Sequence, residues 1–260
     1  MQSPKVSVVT INYNMAAELE STIRNVVYQS YPALEYVVID GGSTDGSPDV
    51  IRRHASNIAH WVSERDDGIY DAMNKGVAAA TGEWVIFINA GDCFCDREVI
   101  ADIFSAPPED ADILFGDVIR READGPDKLV QARLDAMPLH MPSSHQSTFT
   151  RRRLLLAHPF AVEFSISADH EFLLWASTQS ARLKKVPRAV AIFGRGGTSD
   201  RKRSAALRQL RRMLKRYGQF TPGVRLRYWL YSLRALTGPI ARATLPTSLT
   251  HWLLKNKGFD

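Results

Sequence analysis

Apolar and polar positions alternate along the first half of the chain in blocks rather than singly. Residues 6–11, VSVVTI, form a β-branched, mostly apolar run of the kind buried on both faces of a parallel sheet. The run stops at Asn12-Tyr13-Asn14. Over 16–30, Leu19, Ile23, Val26 and Val27 recur at helical spacing, with Pro32 beyond the end. A second strand over 34–39 ends at Asp40. The turn Gly41-Gly42-Ser43-Thr44-Asp45-Gly46 feeds a helix over 48–55, and a third strand spans 58–63. This alternation predicts a βαβαβ unit, hence a parallel sheet with right-handed crossovers.

Residues 61–92 form the stretch around which the chain is organised: strand, acidic glycine turn, helix, then an apolar strand over 85–88 that stops at Asn89-Ala90-Gly91-Asp92. A buried strand ending in a lone carboxylate puts that carboxylate at the mouth of a sheet, where open α/β sheets hold ligands. Beyond it the pattern changes. Residues 98–104 read as a helix broken by Pro107-Pro108, and 112–119 and 128–134 alternate like antiparallel strands around a loop at 123–127. A short strand over 144–149, a helix from 168 to about 177 and a strand over 186–193 complete this part. The following loop, with Gly196 and Gly197, is flexible enough for a lid. The tail is helical: Leu207, Leu210, Leu214 and Tyr217 share one face, Leu226, Trp229, Leu230, Leu233 and Leu236 another, and 249–253 read as a last short helix. The expectation is an α/β domain over 1–200, with a nucleotide-binding half at about 1–105 and an acceptor half at about 106–200. A basic amphipathic segment over 201–260 completes the chain.

Charge sharpens the division. The chain carries +5 in all, but from Arg201 onward 14 Lys/Arg face one acid, Asp260, so that segment is +13 and the first 200 residues are −8. A basic amphipathic tail suits an anionic membrane surface, and the acidic remainder argues against nucleic acid. Hydrophobic residues at 45% and charged residues at 23% describe an ordinary globular chain. Cys93 and Cys95, one residue apart, make no zinc ligand set and read as free thiols of a reducing compartment. Met1-Gln2-Ser3-Pro4-Lys5 leads straight into a strand without a signal peptide, and no run reaches the roughly 20 apolar residues of a membrane span. The expected location is cytoplasmic, peripheral on the inner face of the cell membrane.

Neither G-x-G-x-x-G nor G-x-x-x-x-G-K-[ST] occurs, so a bound nucleotide's phosphates need another holder, and a divalent cation is the obvious one. Asp92 is the sharpest candidate, since a bare charge after a buried strand is costly unless it binds something. Asp40 reads equally as a ligand for a base or ribose and as a turn cap. Asp66, Asp67 and Asp71 suit a helix N-terminus without any ligand. Asp71 and Asn74 share a helix face and, beside Gly68, fit a nucleotide-facing helix. Asp169 at a helix start is a general base or an N-cap. His145-Gln146 could meet acceptor or nucleotide, or be structural.

Together VSVVTINYN, VVIDGGSTDGS, DDGIYDAMNKGVAAATGEWVIFINAGD, SHQSTF and SADHEF, in that order over about 5–200, resemble glycosyltransferase family 2, the inverting enzymes of GT-A fold. The block at 70–76 is similar to transferases of bacterial exopolysaccharide and colanic-acid type. The resemblance implies a Rossmann-like, mixed but mostly parallel sheet flanked by helices. It implies a UDP- or GDP-sugar donor, a glycan or lipid-linked acceptor and Mg²⁺ or Mn²⁺. It places Thr10 and Asn12 at the base and ribose, Asp40 on the nucleobase, and Asp71 and Asn74 by the ribose and diphosphate, with Asn14, Asp67, Gly68, Ala90 and Gly91 also in the nucleotide-sugar site. Asp92 matches the last acid of a D-x-D-type metal motif whose other positions are Ala90 and Gly91, so the first acid is missing. Asp169 matches the catalytic base. A sugar-nucleotide nucleotidyltransferase would show a glycine-rich basic loop after the first strand, which is absent. The thinned metal motif leaves open a catalytically weak or inactive sugar-nucleotide binder.

Overall fold

In the computed structural model, which describes residues 3–105, 110–122, 125–194 and 203–244, the apolar runs become paired strands. β1 (Val6–Asn12) and β2 (Leu34–Asp40) run parallel, in register from Val6 opposite Leu34 to Asn12 opposite Asp40. β3 (His60–Ser63) joins β2, and β4 (Trp84–Phe87) joins the other side of β1, both parallel. The chain thus steps outward from β1 in one direction and then returns to its other side. That reversal makes the carboxyl ends of β1 and β4 the natural place for a ligand.

The sheet then becomes mixed. β8 (Thr148–Arg151) runs antiparallel to β4, and β6 (Ile113–Arg121) antiparallel to β8. β9 (Leu183–Gly194) lies parallel to β6, β5 (Cys93–Phe94) antiparallel to β9, and β7 (Lys128–Val130) pairs with β6 as a hairpin. The α/β, mostly parallel and then mixed sheet is the expected one.

Two apolar layers sandwich it. On one face, α1 (Ala16–Val27), α2 (Ser47–Arg53) and α4 (Val99–Phe104) press Leu19, Ile23, Val50, Ile51 and Ile100 against Val6 and Val8. On the other, α3 (Ile69–Ala79), α5 (Arg152–Ala157) and α6 (Ala168–Thr178) press Met73, Val77, Leu154 and Phe172 against Val9 and Ile11. The alternation of β1 side chains between the layers is the two-residue period of a strand. α7 (Arg203–Arg216) brings Leu207, Leu210 and Leu214 into the second layer, as its apolar face predicts, and α8 (Pro222–Thr244) adds Tyr228.

Several boundaries differ from expectation. The first helix ends at Val27, the strand expected over 58–63 begins at His60, and 134–136 form a 3₁₀ turn instead of continuing a strand. Residues 145–147 are also a 3₁₀ turn, and the strand begins only at Thr148. The Ser144 carbonyl explains this: it accepts from the Ser147 N–H, the Ser147 hydroxyl and the Thr148 hydroxyl, which curls the segment. β5 and α5 were not anticipated. Pro107, Pro108, Gly196, Gly197 and the helix expected over 249–253 lie outside the described residues.

Candidate active site

The three adjacent strand ends of the parallel half carry one hydrogen-bonded cluster. Asp40, fully buried at the end of β2, accepts from Asn12 Nδ2 at 2.7 Å at the end of β1 and from the Ser63 hydroxyl at 2.6 Å at the end of β3. It also accepts from the Ser43 hydroxyl at 2.5 Å and the Ser43 N–H at 3.0 Å. Burial alone would raise its pKa, but these bonds from Ser43, Ser63 and Asn12 outweigh it and hold the carboxyl below its usual range. Asp40 therefore knits the rim together as an ionised group. The Oδ1 of Asn12 is buried and has no protein partner.

The turn after β4 sits beside that cluster, because the Ala90 N–H donates to the Ile11 carbonyl at 3.1 Å. Thr22 of α1 fixes its shape: its hydroxyl accepts from the Gly91 N–H at 3.1 Å and donates to the Asp92 carbonyl at 2.9 Å. Gly91, at φ +94°, adopts a backbone that an acidic residue takes only under strain, which accounts for glycine at the middle of the motif. Asp92 Oδ2 accepts from Gln146 Nε2 at 2.9 Å. Burial pushes the Asp92 carboxyl up, opposed by Gln146 and by nearby His145. Asn89 Oδ1 is a second buried oxygen without a protein partner.

Asp169 opens α6, and its carboxylate is held from two sides. Oδ1 accepts from the Tyr70 hydroxyl at 3.0 Å and from the His170 N–H at 2.9 Å, while Oδ2 lies 3.6 Å from His145 Nδ1. The other ring nitrogen of His145 is 3.0 Å from Asn89 Nδ2. Burial works to raise the Asp169 pKa, yet His145, Tyr70 and the His170 N–H overcome it and set the carboxyl below its usual range. Two consecutive residues of one 3₁₀ turn thus reach both acids: His145 to Asp169 and Gln146 to Asp92. The path from Asp40 through Asn12 and the 89–92 turn to His145 and Asp169 is one continuous rim.

The remaining candidates fall out unevenly. Asn14 (φ +52°) accepts from the Thr44 N–H at 2.8 Å and braces the 43–44 turn. Asp67 is exposed, and Gly68, at φ +109°, caps α3. Asp71 turns back to accept from the Asp67 N–H at 3.0 Å and lies 3.5 Å from Lys75. Two residues do not reach out to a nucleotide. Thr10 is fully buried, donating to the Ile88 carbonyl at 2.7 Å and accepting from the Tyr36 hydroxyl at 3.0 Å. Asn74 spends both ends of its amide on the Phe160 backbone, at 2.9 Å each, because α3 must be clamped to the segment before α6. The sequence reading missed Thr22, Tyr70, Asn89, Ser43 and Ser63. Asn89, immediately before Ala90-Gly91-Asp92, was the one with a visible signal.

Among the described residues no group of three or more His, Cys, Asp or Glu could hold a metal. A divalent cation fits here only as a shared ion, with oxygen from Asp92 and Asn89 and the rest of its shell from a ligand's phosphates and water.

Comparisons agree with this architecture. The family model described as "Glycosyl transferase family 2" matches residues 7–164. A "PGL/p-HBAD biosynthesis glycosyltransferase" of Mycobacterium bovis (strain BCG / Pasteur 1173P2) is 31% identical over 182 residues, covering 66% of this chain and 69% of that protein. An uncharacterized glycosyltransferase of Mycobacterium tuberculosis (strain H37Rv) is 33% identical over 189 residues, covering 67% and 70%. Among solved structures, the mannosyltransferase of Pyrobaculum calidifontis in complex with GDP-Man and Mn²⁺ superposes at TM-score 0.68 and 20% identity, covering 98% of this chain and 80% of that one. S. aureus TarS superposes at TM-score 0.63 and 18% identity over 79% of this chain but only 39% of that larger one. With its parallel-then-mixed sheet and the acidic rim at its switch point, this chain belongs to glycosyl transferase family 2.

Proposed function

We propose that this glycosyltransferase moves a sugar from a nucleoside-diphosphate donor to an acceptor hydroxyl by single displacement. The observation that carries the reading is the His145-Gln146 turn, which ties Asp169 and Asp92 into one site beside the Asn12–Asp40 cluster. Asn12 and the rim around Asp40 receive the nucleoside. The donor diphosphate lies toward Asp92 and Asn89, where a bound Mg²⁺ or Mn²⁺ would offset the charge of the leaving group. The Mn²⁺ in the Pyrobaculum complex supports that choice of ion.

Asp169 accepts the proton of the acceptor hydroxyl. That oxygen bonds to the anomeric carbon as the bond to the diphosphate breaks on the opposite face, so configuration inverts. The depressed pKa keeps Asp169 ionised at neutral pH, and Tyr70 and His145 fix its direction. The acceptor is a glycan or lipid-linked hydroxyl on the way to a cell-surface polysaccharide, met at an anionic membrane face.

The test is release of nucleoside diphosphate from a panel of UDP-, GDP- and dTDP-sugars with Mn²⁺. One donor turns over, and Asp169→Asn lowers that rate by roughly 10²–10⁴, the usual worth of a positioned base. A variant with near-normal turnover removes Asp169 from its role. No turnover with any donor leaves a binder without transfer.

A further inference from the structure

A cavity of about 340 Å³ lies beside Asp169, between the start of α6 and the two C-terminal helices. Its lining is mixed. Ser167, Asp169 and His170 line it together with Ile166, Leu207, Leu210 and Tyr231. His140, also in the wall, stands edge-on to Tyr231 with ring centroids 4.5 Å apart at 81°. Asp169 belongs to both regions: it contacts His145, which leads through Asn89 to the mouth of the sheet, and it lines this cavity.

We propose that this cavity seats the acceptor and selects one bearing a neutral, ring-sized apolar group next to the hydroxyl that reacts. The inference rests on the transfer reading above and names the acceptor class for the same site. Its charges exclude the obvious alternative, a phosphate-bearing group lodged in the cavity. Among the described residues no Lys or Arg lines it, and the one carboxylate among them, Asp169, repels an anion. Its two histidines do not compensate. His170 stays neutral at physiological pH, since burial presses its pKa down to about 4 against the pull of Asp169, and its Nε2 lies 3.0 Å from the Pro138 carbonyl. Burial, helped by Arg227, lowers His140 as well. A neutral apolar group gains by leaving water for the Ile166, Leu210 and Tyr231 walls. The volume is at the small end for ligand sites, which suits one ring rather than a length of polymer. A hydroxyl on the unit next to that ring then comes within reach of Asp169, which lines the same cavity.

The test compares phenyl and methyl glycosides of glucose, galactose, mannose and rhamnose, with binding read by ligand-observed NMR on the full chain. At least one phenyl glycoside binds about tenfold tighter than its methyl counterpart. Ile166→Asp and Tyr231→Ala, both at half-buried positions, bring the pair to within about twofold while the proteins keep a cooperative melt. Equal binding of all pairs in the unmutated protein, or a phenyl preference that survives both substitutions, overturns the proposal. Donor turnover is read separately. A protein that turns over donor yet ignores the phenyl group sinks the cavity assignment alone. One that prefers phenyl but releases no nucleoside diphosphate sinks the transfer reading, and with it the acceptor role, leaving an apolar binding site.

Discussion

At the scale of single residues, the site turns on how two similar acids are given opposite tendencies. Asp92 is pushed up by burial, whereas Asp169, also largely buried, is pulled down because His145, Tyr70 and a backbone N–H favour its charged form. His145 is the adjustable part. Its Nδ1 is 3.6 Å from Asp169 and its Nε2 is engaged with Asn89, so in the proposed mechanism it acts through Asp169. His145→Gln removes both the contact and the charge that lower the Asp169 pKa, so that pKa rises. A base is lost as pH falls through its pKa, so the acid limb of the kcat/KM profile moves to higher pH in the variant, with a smaller loss on the alkaline side. An unchanged limb assigns His145 to packing alone. Asp40, Asp92 and Asp169 stand out in the sequence because each sits at an element boundary, where a carboxylate is conspicuous. The environment that sets their tendencies does not, since Tyr70 and Asn89 look like core and turn residues until the chain folds. Thr10 and Asn74 misled for the converse reason: a polar side chain at a strand end or on a helix face reads the same whether it faces a ligand or the neighbouring backbone.

At the scale of elements, the strands of the parallel half were plain from their apolar runs, but what locks them in place was not. Glu35, almost fully buried on β2, accepts from the Lys5 ammonium at 2.7 Å, the Ser7 hydroxyl at 2.5 Å and the Thr81 N–H and hydroxyl at 2.7 and 2.6 Å. It thereby joins β1, β2 and the turn into β4. In sequence it is one acid inside LEYVVID. Burial opposes its charge, yet these bonds win and bring its pKa to about 2 from 4.5. The folded value lies below the unfolded one, so its stabilisation is complete above the unfolded pKa and is lost as pH falls toward 2. Glu35→Gln costs about 3 kcal/mol in urea unfolding at pH 7, and the difference from the unmutated protein shrinks as pH drops through that window. A pH-independent difference attributes the loss to packing. The close seat of α3 is equally hidden: a Cβ on Gly76 would fall 2.4 Å from Val9 Cγ1, so the glycine inside a helix marks where helix and strand nearly touch. β5 escaped because two residues carry no period, and α5 because it follows a strand without a break signal.

At the scale of the whole molecule, the described helices of the basic C-terminal segment, α7 and α8, pack on the rest of the fold. Arg216 of α7 meets Glu171, fully buried in α6 two residues beyond Asp169, at 3.2 Å, and Tyr217 donates to the same carboxylate. α8 then divides by face. Tyr228 turns inward, and Leu226, Trp229, Leu230 and Leu233 stand 54–63% exposed along one stripe, with exposed Arg225 and Arg227 to either side by helical spacing. No described helix is long and apolar enough to cross a membrane. An apolar stripe flanked by two arginines is the pattern of a helix that lies in a membrane interface, and that is the reading to test. Each Lys or Arg near an anionic surface adds about 1 kcal/mol, and a pair beside four apolar anchors makes binding depend on both terms. The full chain therefore sediments with phosphatidylglycerol-containing vesicles and not with phosphatidylcholine alone, and 0.5 M salt, about three times physiological, weakens the association without abolishing it. Leu226→Ser with Leu230→Ser, both at exposed sites, lowers vesicle binding about tenfold or more at low salt while leaving the melting temperature in place. Binding that ignores these substitutions but vanishes with salt reduces the stripe to a solvated face and leaves charge alone as the attraction. Binding lost together with the fold would instead show that the stripe packs inward, which the exposure of all four side chains argues against.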